Sequence, residues 1–197
     1  LYYGNETAVS AGDPAASFDV HTAVTYHFSG GQSLPRDATA YGIPMSGFTG
    51  SLSNSSLIAG GVVFAAGNRL AIDDAPALAV TPDKGLTVSF WFKPTGDQAD
   101  AVLFERVAEG TSLQVLLRGS SIVSRYSTAT GKIYETAPAA GVRAGTWQRL
   151  RAELGRENRG DAAAELGAVA ADRHVGQRDL AGVVDAAAIA IQLLAGV

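Results

Sequence analysis

The groups in this chain able to do acid–base or nucleophilic chemistry are few, and their spacing is wrong for it. Glycoside hydrolysis needs two carboxylates about 5–9.5 Å apart, commonly at alternate positions of one strand that faces a groove. Glu105 and Glu109 flank a turn, Glu135 stands alone, and Asp73 and Asp74 are adjacent, so a strand would point them to opposite sides. A solvated turn accounts for the two aspartates. No Gly-x-Ser-x-Gly elbow is present to raise a serine nucleophile. His21, His27 and His174 lack paired spacing, and His27 alternates with Tyr26 and Phe28, so it points away from the core. The chain has no cysteine, which removes disulfides, thiolate catalysis and zinc–thiolate sites. Gly60-Gly61 reads as a turn and not as a phosphate loop. The expectation is a protein without catalytic machinery.

Binding chemistry has better candidates. Trp91 falls on the strand face opposite Phe90 and Phe92, where it is either a platform for a sugar ring or a side chain covered by a loop. Tyr126 and Tyr134 carry the same two alternatives. Nucleic acid is excluded as a partner by the charge pattern. The net charge is −4, and no two Lys or Arg residues are adjacent, whereas a phosphate backbone calls for a clustered basic face.

These side chains need a scaffold, and the pattern names one. Residues 85–106 read GLTVSFWFKPTGDQADAVLFER. Leu86, Val88, Phe90 and Phe92 alternate with Thr87, Ser89, Trp91 and Lys93, and Pro94 and Gly96 end the run. Similar short runs recur at Val24–Phe28, Val62–Phe64, Arg69–Ile72, Ala101–Phe104, Leu113–Arg118, Ile122–Tyr126, Lys132–Thr136 and Thr146–Leu150. Gly, Ser, Asn, Asp and Pro clusters separate them. Many short strands at such spacing predict an all-β antiparallel β-sandwich, and 197 residues suffice for one core.

Beyond residue 150 the composition changes. All fifteen aromatics lie at or before Trp147, and Arg151–Val197 has no Ser, Thr, Lys or Pro while Ala is abundant. One reading is a helical or disordered Ala-rich tail. A second, a membrane span over Leu180–Val197, is opposed by Asp185, since a central Asp costs about 2.5–3.5 kcal/mol. A third is a shifted reading frame: one codon choice for Glu153–Asn158, read one base later, encodes Asn-Trp-Asp-Gly-Lys, a good hairpin turn. Without further strands from this segment, the sandwich would keep open edges.

Four stretches together resemble a laminin-G-like domain of the concanavalin A-like lectin and glucanase class, a jelly-roll sandwich. They are Tyr26-His27-Phe28 with Asp37–Gly42, Gly61–Phe64 with Leu70–Ile72 and Ala77–Val80, Leu86–Pro94, and Gly145–Gln148. The chain departs from the family at Phe64-Ala65-Ala66-Gly67, where Phe-Asp-Gly is usual, and in lacking the closing Val-Asp-Gly-like segment. The resemblance implies carbohydrate binding and calcium as the one credible ion, with Asp37 and Asp73 as its ligands. The competing reading of Asp37 is an Asx-turn. Leu1-Tyr2-Tyr3-Gly4-Asn5 resembles the last strand of an uncharacterised bacterial envelope module, of a kind sometimes fused to TolQ/ExbB-type proton-channel proteins. The implied organisation is an end strand and linker over 1–18, an incomplete sandwich over 19–150 and the tail over 151–197. The implied function is a lectin-like module of the bacterial envelope or exterior that binds glycan or protein. The alternative is a structural spacer in a membrane-anchored parent protein.

Overall fold

The computed structural model describes residues 12–13, 15–28, 34–57, 60–79, 84–108, 110–154, 169–172, 185–186 and 188–195, the last three spans by backbone alone. Most of Leu1–Phe18, expected to be a strand and linker, lies outside the described residues.

The strands in chain order are β1 (Thr22–His27), β2 (Met45–Phe48), β3 (Ser51–Ser53), β4 (Gly61–Val63), β5 (Leu70–Ile72), β6 (Lys84–Phe92), β7 (Gln98–Ala108), β8 (Thr111–Gly119), β9 (Ser121–Ser127), β10 (Ile133–Glu135), β11 (Ala139–Ala140), β12 (Gln148–Leu154), β13 (Val169–Asp172), β14 (Asp185–Ala186) and β15 (Ala188–Ala195). Single 3-10 turns form at Ala15–Ser17 and Pro76–Leu78. One sheet runs β1-β15-β6-β12-β13 and a second β10-β9-β8-β7, with β11 beside β9; β14-β4-β3 and β2-β5 complete the strand pairing. Every pairing is antiparallel.

The alternation on β6 does what the sequence predicts. Leu86, Val88, Phe90 and Phe92 are buried, and Leu150 and Ala152 of β12 lie opposite Phe90 and Val88 in register. Val115, Leu117 and Ile122 of the second sheet join them in one apolar cluster with Val24 and Tyr26. Side chains from two facing sheets that meet in one core make a β-sandwich.

The described stretches of the Ala-rich segment are strands, where a helical or disordered tail was expected. Val169–Asp172 pairs with β12, and Ala188–Ala195 runs between β1 and β6. Ile189-Ala190-Ile191-Gln192-Leu193 alternates with period two, a local pattern outweighed in the sequence by the helix-favouring composition around it. The sheet supplies β15 with a partner on each edge, and such tertiary pairing overrides a propensity worth only tenths of a kcal/mol per residue.

Candidate functional site

At one end of the second sheet, Tyr126 of β9 and Tyr134 of β10 are register partners. Their rings stack with centroids 6.5 Å apart and planes 27° apart. The Lys132 ammonium lies 4.7 Å from the Tyr134 centroid, a cation–π distance. Tyr126 continues the alternation of Ile122 and Ser124, so the pair extends the inward face of β9 past the core. Thr128-Ala129-Thr130-Gly131 makes the intervening turn, with hydrogen bonds between the Thr128 and Thr130 hydroxyls and from the Lys132 N–H to Thr128 Oγ1. Both tyrosines are half-buried, so part of each side chain meets solvent.

The opposite face of the same strands carries ions. Arg118 of β8 contacts Asp100 of β7 at 2.5 Å and Glu135 of β10 at 3.0 Å; Arg125 of β9 contacts Glu135 at 2.7 Å and Asp100 at 3.5 Å. The two arginines approach from either side of the Leu116–Val123 register pair, which is buried although it faces away from the core. Long basic side chains can cover apolar surface in this way while keeping their charge in water. Glu135, bonded first to Arg118 and then to Arg125, has its carboxyl lowered to about 2. Asp100 is lowered as well, chiefly by its hydrogen bond from Arg118. A depressed carboxyl stabilises the fold above its ordinary pKa and loses that contribution as pH falls through the folded value. Thermal melts are therefore expected to decline between about pH 4.5 and pH 2 more steeply for the native chain than for Glu135→Gln. Parallel pH profiles would refute the network.

Trp91 sits elsewhere. It is half-buried on the outer face of β6, opposite Arg149 of β12. The structure thus brings Tyr126 and Tyr134 together and leaves Trp91 on the other sheet.

Asp37 has committed partners. One carboxylate oxygen accepts from the N–H of Thr25 (2.9 Å) and of Thr39 (3.0 Å), the other from Ile43 N–H (2.8 Å) and the Thr39 hydroxyl (2.8 Å). The bond from Thr39, two residues on, is the Asx-turn geometry. A hard cation at Asp37 would have to displace four chain donors, so the side chain is a poor calcium ligand. Asp73 lies exposed at the rim of a cleft beside Asp74. Among the described residues no group of three His, Asp or Glu side chains is placed to hold a metal ion.

That cleft was not foreseen from the sequence. It measures about 570 Å³ and runs between β5 and β7, with Leu86, Phe90 and Phe92 as its floor. Its apolar lining residues read in sequence as ordinary core and its charged ones as solvated surface, and only the gap between two strands turns them into one wall.

No family model and no curated protein matches the chain. Solved structures share its fold. The binding domain of Paraclostridial Mosquitocidal Protein 1 superposes with TM-score 0.58 at 8% identity, over 89% of this chain and 49% of that one. The botulinum neurotoxin serotype D binding domain gives TM-score 0.55 at 10% identity, over 93% of this chain and 49% of that one. The serotype G binding domain gives 0.53 at 11%, over 88% and 44%. The chain spans about half the length of these structures, and at such identities the likeness is one of fold.

Proposed function

We propose that this chain is a non-catalytic binding module of an envelope or extracellular protein, and that it takes a glycan on the Tyr126–Tyr134–Lys132 surface. The observation that carries this reading is the stacked tyrosine pair at the end of the second sheet. The two stacked rings form an aromatic cluster whose solvent-exposed surface can pack against the C–H face of a pyranose, while Lys132 and the Thr128 and Thr130 hydroxyls offer polar groups to sugar oxygens. The absence of enzymatic activity is supported by the engagement of the carboxylates: Glu135 is held by two arginines, and Glu105 accepts from Gln114 at 2.6 Å. Solved structures of the same fold are described as binding domains, which agrees with a binding role.

A thermal-shift and glycan-array screen with soluble polysaccharides, with and without calcium, tests the proposal. Binding is expected, and Tyr134→Ala is expected to weaken it about tenfold by removing one of two stacked rings. A response to no sugar, or an affinity untouched by both Tyr126→Ala and Tyr134→Ala, would sink the glycan reading and leave the spacer role.

A further inference from the structure

The cleft between β5 and β7 has an unusual wall. Its lining takes consecutive residues from both strands, Asn68–Asp74 on one side and Val102–Val107 on the other. Consecutive side chains of a strand point to opposite faces, so a space that touches all of them runs along the strand's edge. The topology agrees. β7 ends the order β10-β9-β8-β7, and β5 ends the pair β2-β5, with no further partner for either among the described residues. Two sheet edges therefore flank one slot, and its floor is the apolar face of β6.

An open edge of this length is normally defended. β7 has eleven residues and carries neither proline nor lysine; its protection is confined to the charges of Asp100, Glu105 and Arg106 and to two register shifts. Val102 and Val107 are 53% and 66% exposed there. Register shifts between Gln98 and Ala101 and between Val102 and Phe104 bend the strand beside the slot. The slot also has a charged axis. At one end Asp73 and Asp74 have no salt-bridge partner among the described residues; at the other lies Arg69. Of the remaining charges, Glu105 is held by Gln114, and Arg106 donates to the Leu78 carbonyl oxygen.

We propose that this slot is a docking site for an extended peptide from a protein partner, added as a strand on β7, with alternate apolar side chains on the β6 floor. Main-chain hydrogen bonds to the free edge give the affinity and the pockets below give selectivity, as in strand addition generally. The end charges set the polarity: a basic residue belongs at Asp73–Asp74 and an acidic one at Arg69. The site is separate from the tyrosine surface and stands or falls without it.

The probe is a fluorescein-labelled peptide, Lys-Val-Thr-Val-Thr-Val-Thr-Val-Glu, titrated against the whole chain by anisotropy. Saturable binding is expected, with at least a tenfold loss when the peptide is N-methylated at alternate residues in the parity that faces β7. Asp73→Asn with Asp74→Asn is expected to weaken binding and flatten its dependence on salt, since exposed charge pairs are screened. Val102→Lys, at an exposed position that leaves the core untouched, is expected to weaken it further. Tyr126→Ala with Tyr134→Ala should leave peptide binding unchanged. No saturation up to about 1 mM peptide, or equal binding of both N-methylated parities, overturns the proposal. Sedimentation that shows a dimer abolished by Val102→Lys would also overturn it, because a second copy would then fill the slot.

Discussion

Asp37→Ala is expected to lower stability by about 3 kcal/mol and the melting temperature by roughly 9 °C, with no gain or loss of metal binding. The cost arises from what the carboxylate holds. Three backbone N–H groups, of Thr25, Thr39 and Ile43, and one hydroxyl converge on its two oxygens. Removing the acceptor leaves the three N–H groups without that partner in a half-buried pocket, while the Thr39 hydroxyl keeps the Ala23 carbonyl oxygen within reach; an orphaned buried donor costs about 1–3 kcal/mol. The clamp has a second member. Ala38 N–H donates to the Thr25 carbonyl at 2.8 Å, and the Tyr26 hydroxyl donates to the Ile43 carbonyl oxygen at 2.7 Å from a fully buried ring. Burial, aided by the nearby Asp37 charge, pushes the Tyr26 phenol up to about 12, so it stays a donor at all ordinary pH. The loop from Asp37 to Ile43 is thus fastened to β1 from both sides. Asp37→Asn is expected to fall between the two, since an amide keeps one acceptor but turns an N–H₂ toward one pair of donors. Urea melts of the three proteins measure the series, and a loss below about 1 kcal/mol for alanine would mean that water replaces the clamp.

The central strands were legible in the sequence because the side chains that enter the core fall on one face and the strands are long enough to show it. Leu86, Val88, Phe90 and Phe92 are visible as a period of two, and so are Leu113, Val115 and Leu117. Burial forces that pattern on any strand with one wet face. The short outer strands had no such signal. Met45–Phe48 and Ser51–Ser53 contain glycine and serine in place of an apolar run, and their places are set by pairing with β5 and β4. The tail misled for the converse reason: Ala favours helix when alone, and strand register is a decision made by the neighbouring sheet. At the candidate site, the residue types were readable and the grouping was not. Tyr126 and Tyr134 lie eight positions apart and meet only because the β9–β10 turn puts them in register, while Trp91 goes to the other sheet. The docking slot was invisible for a stronger reason. It consists of backbone edges, and an unpaired edge is a property of topology that no side chain records.

Gly60 shows how much such topology can demand of one residue, and Gly60→Ala is expected to cost about 3 kcal/mol. In the sequence Gly60-Gly61 looks like a flexible turn; in the fold Gly61 already belongs to β4 and Gly60 is buried. A Cβ at Gly60 would lie 2.1 Å from the Phe28 carbonyl oxygen and 3.0 Å from that of Ser53. Both are backbone atoms, so no side-chain rotation relieves the clash. Either β4 moves away from the end of β1 or the Phe28 peptide turns, and Phe28 is itself buried in the core cluster. Overpacking that shifts backbone typically costs about 1–3 kcal/mol, and the distance here places the change at the upper end. Gly67→Ala supplies the comparison. Gly67 has φ +81°, with nothing within 4 Å of where a methyl group would stand, so alanine there meets only the left-handed backbone penalty of about 1–2 kcal/mol. Melting temperatures of the two variants, measured side by side, should therefore rank Gly60→Ala well below Gly67→Ala. Equal losses would mean that β1 and β4 can part at their ends without strain, and that the close approach at Gly60 is not what joins them.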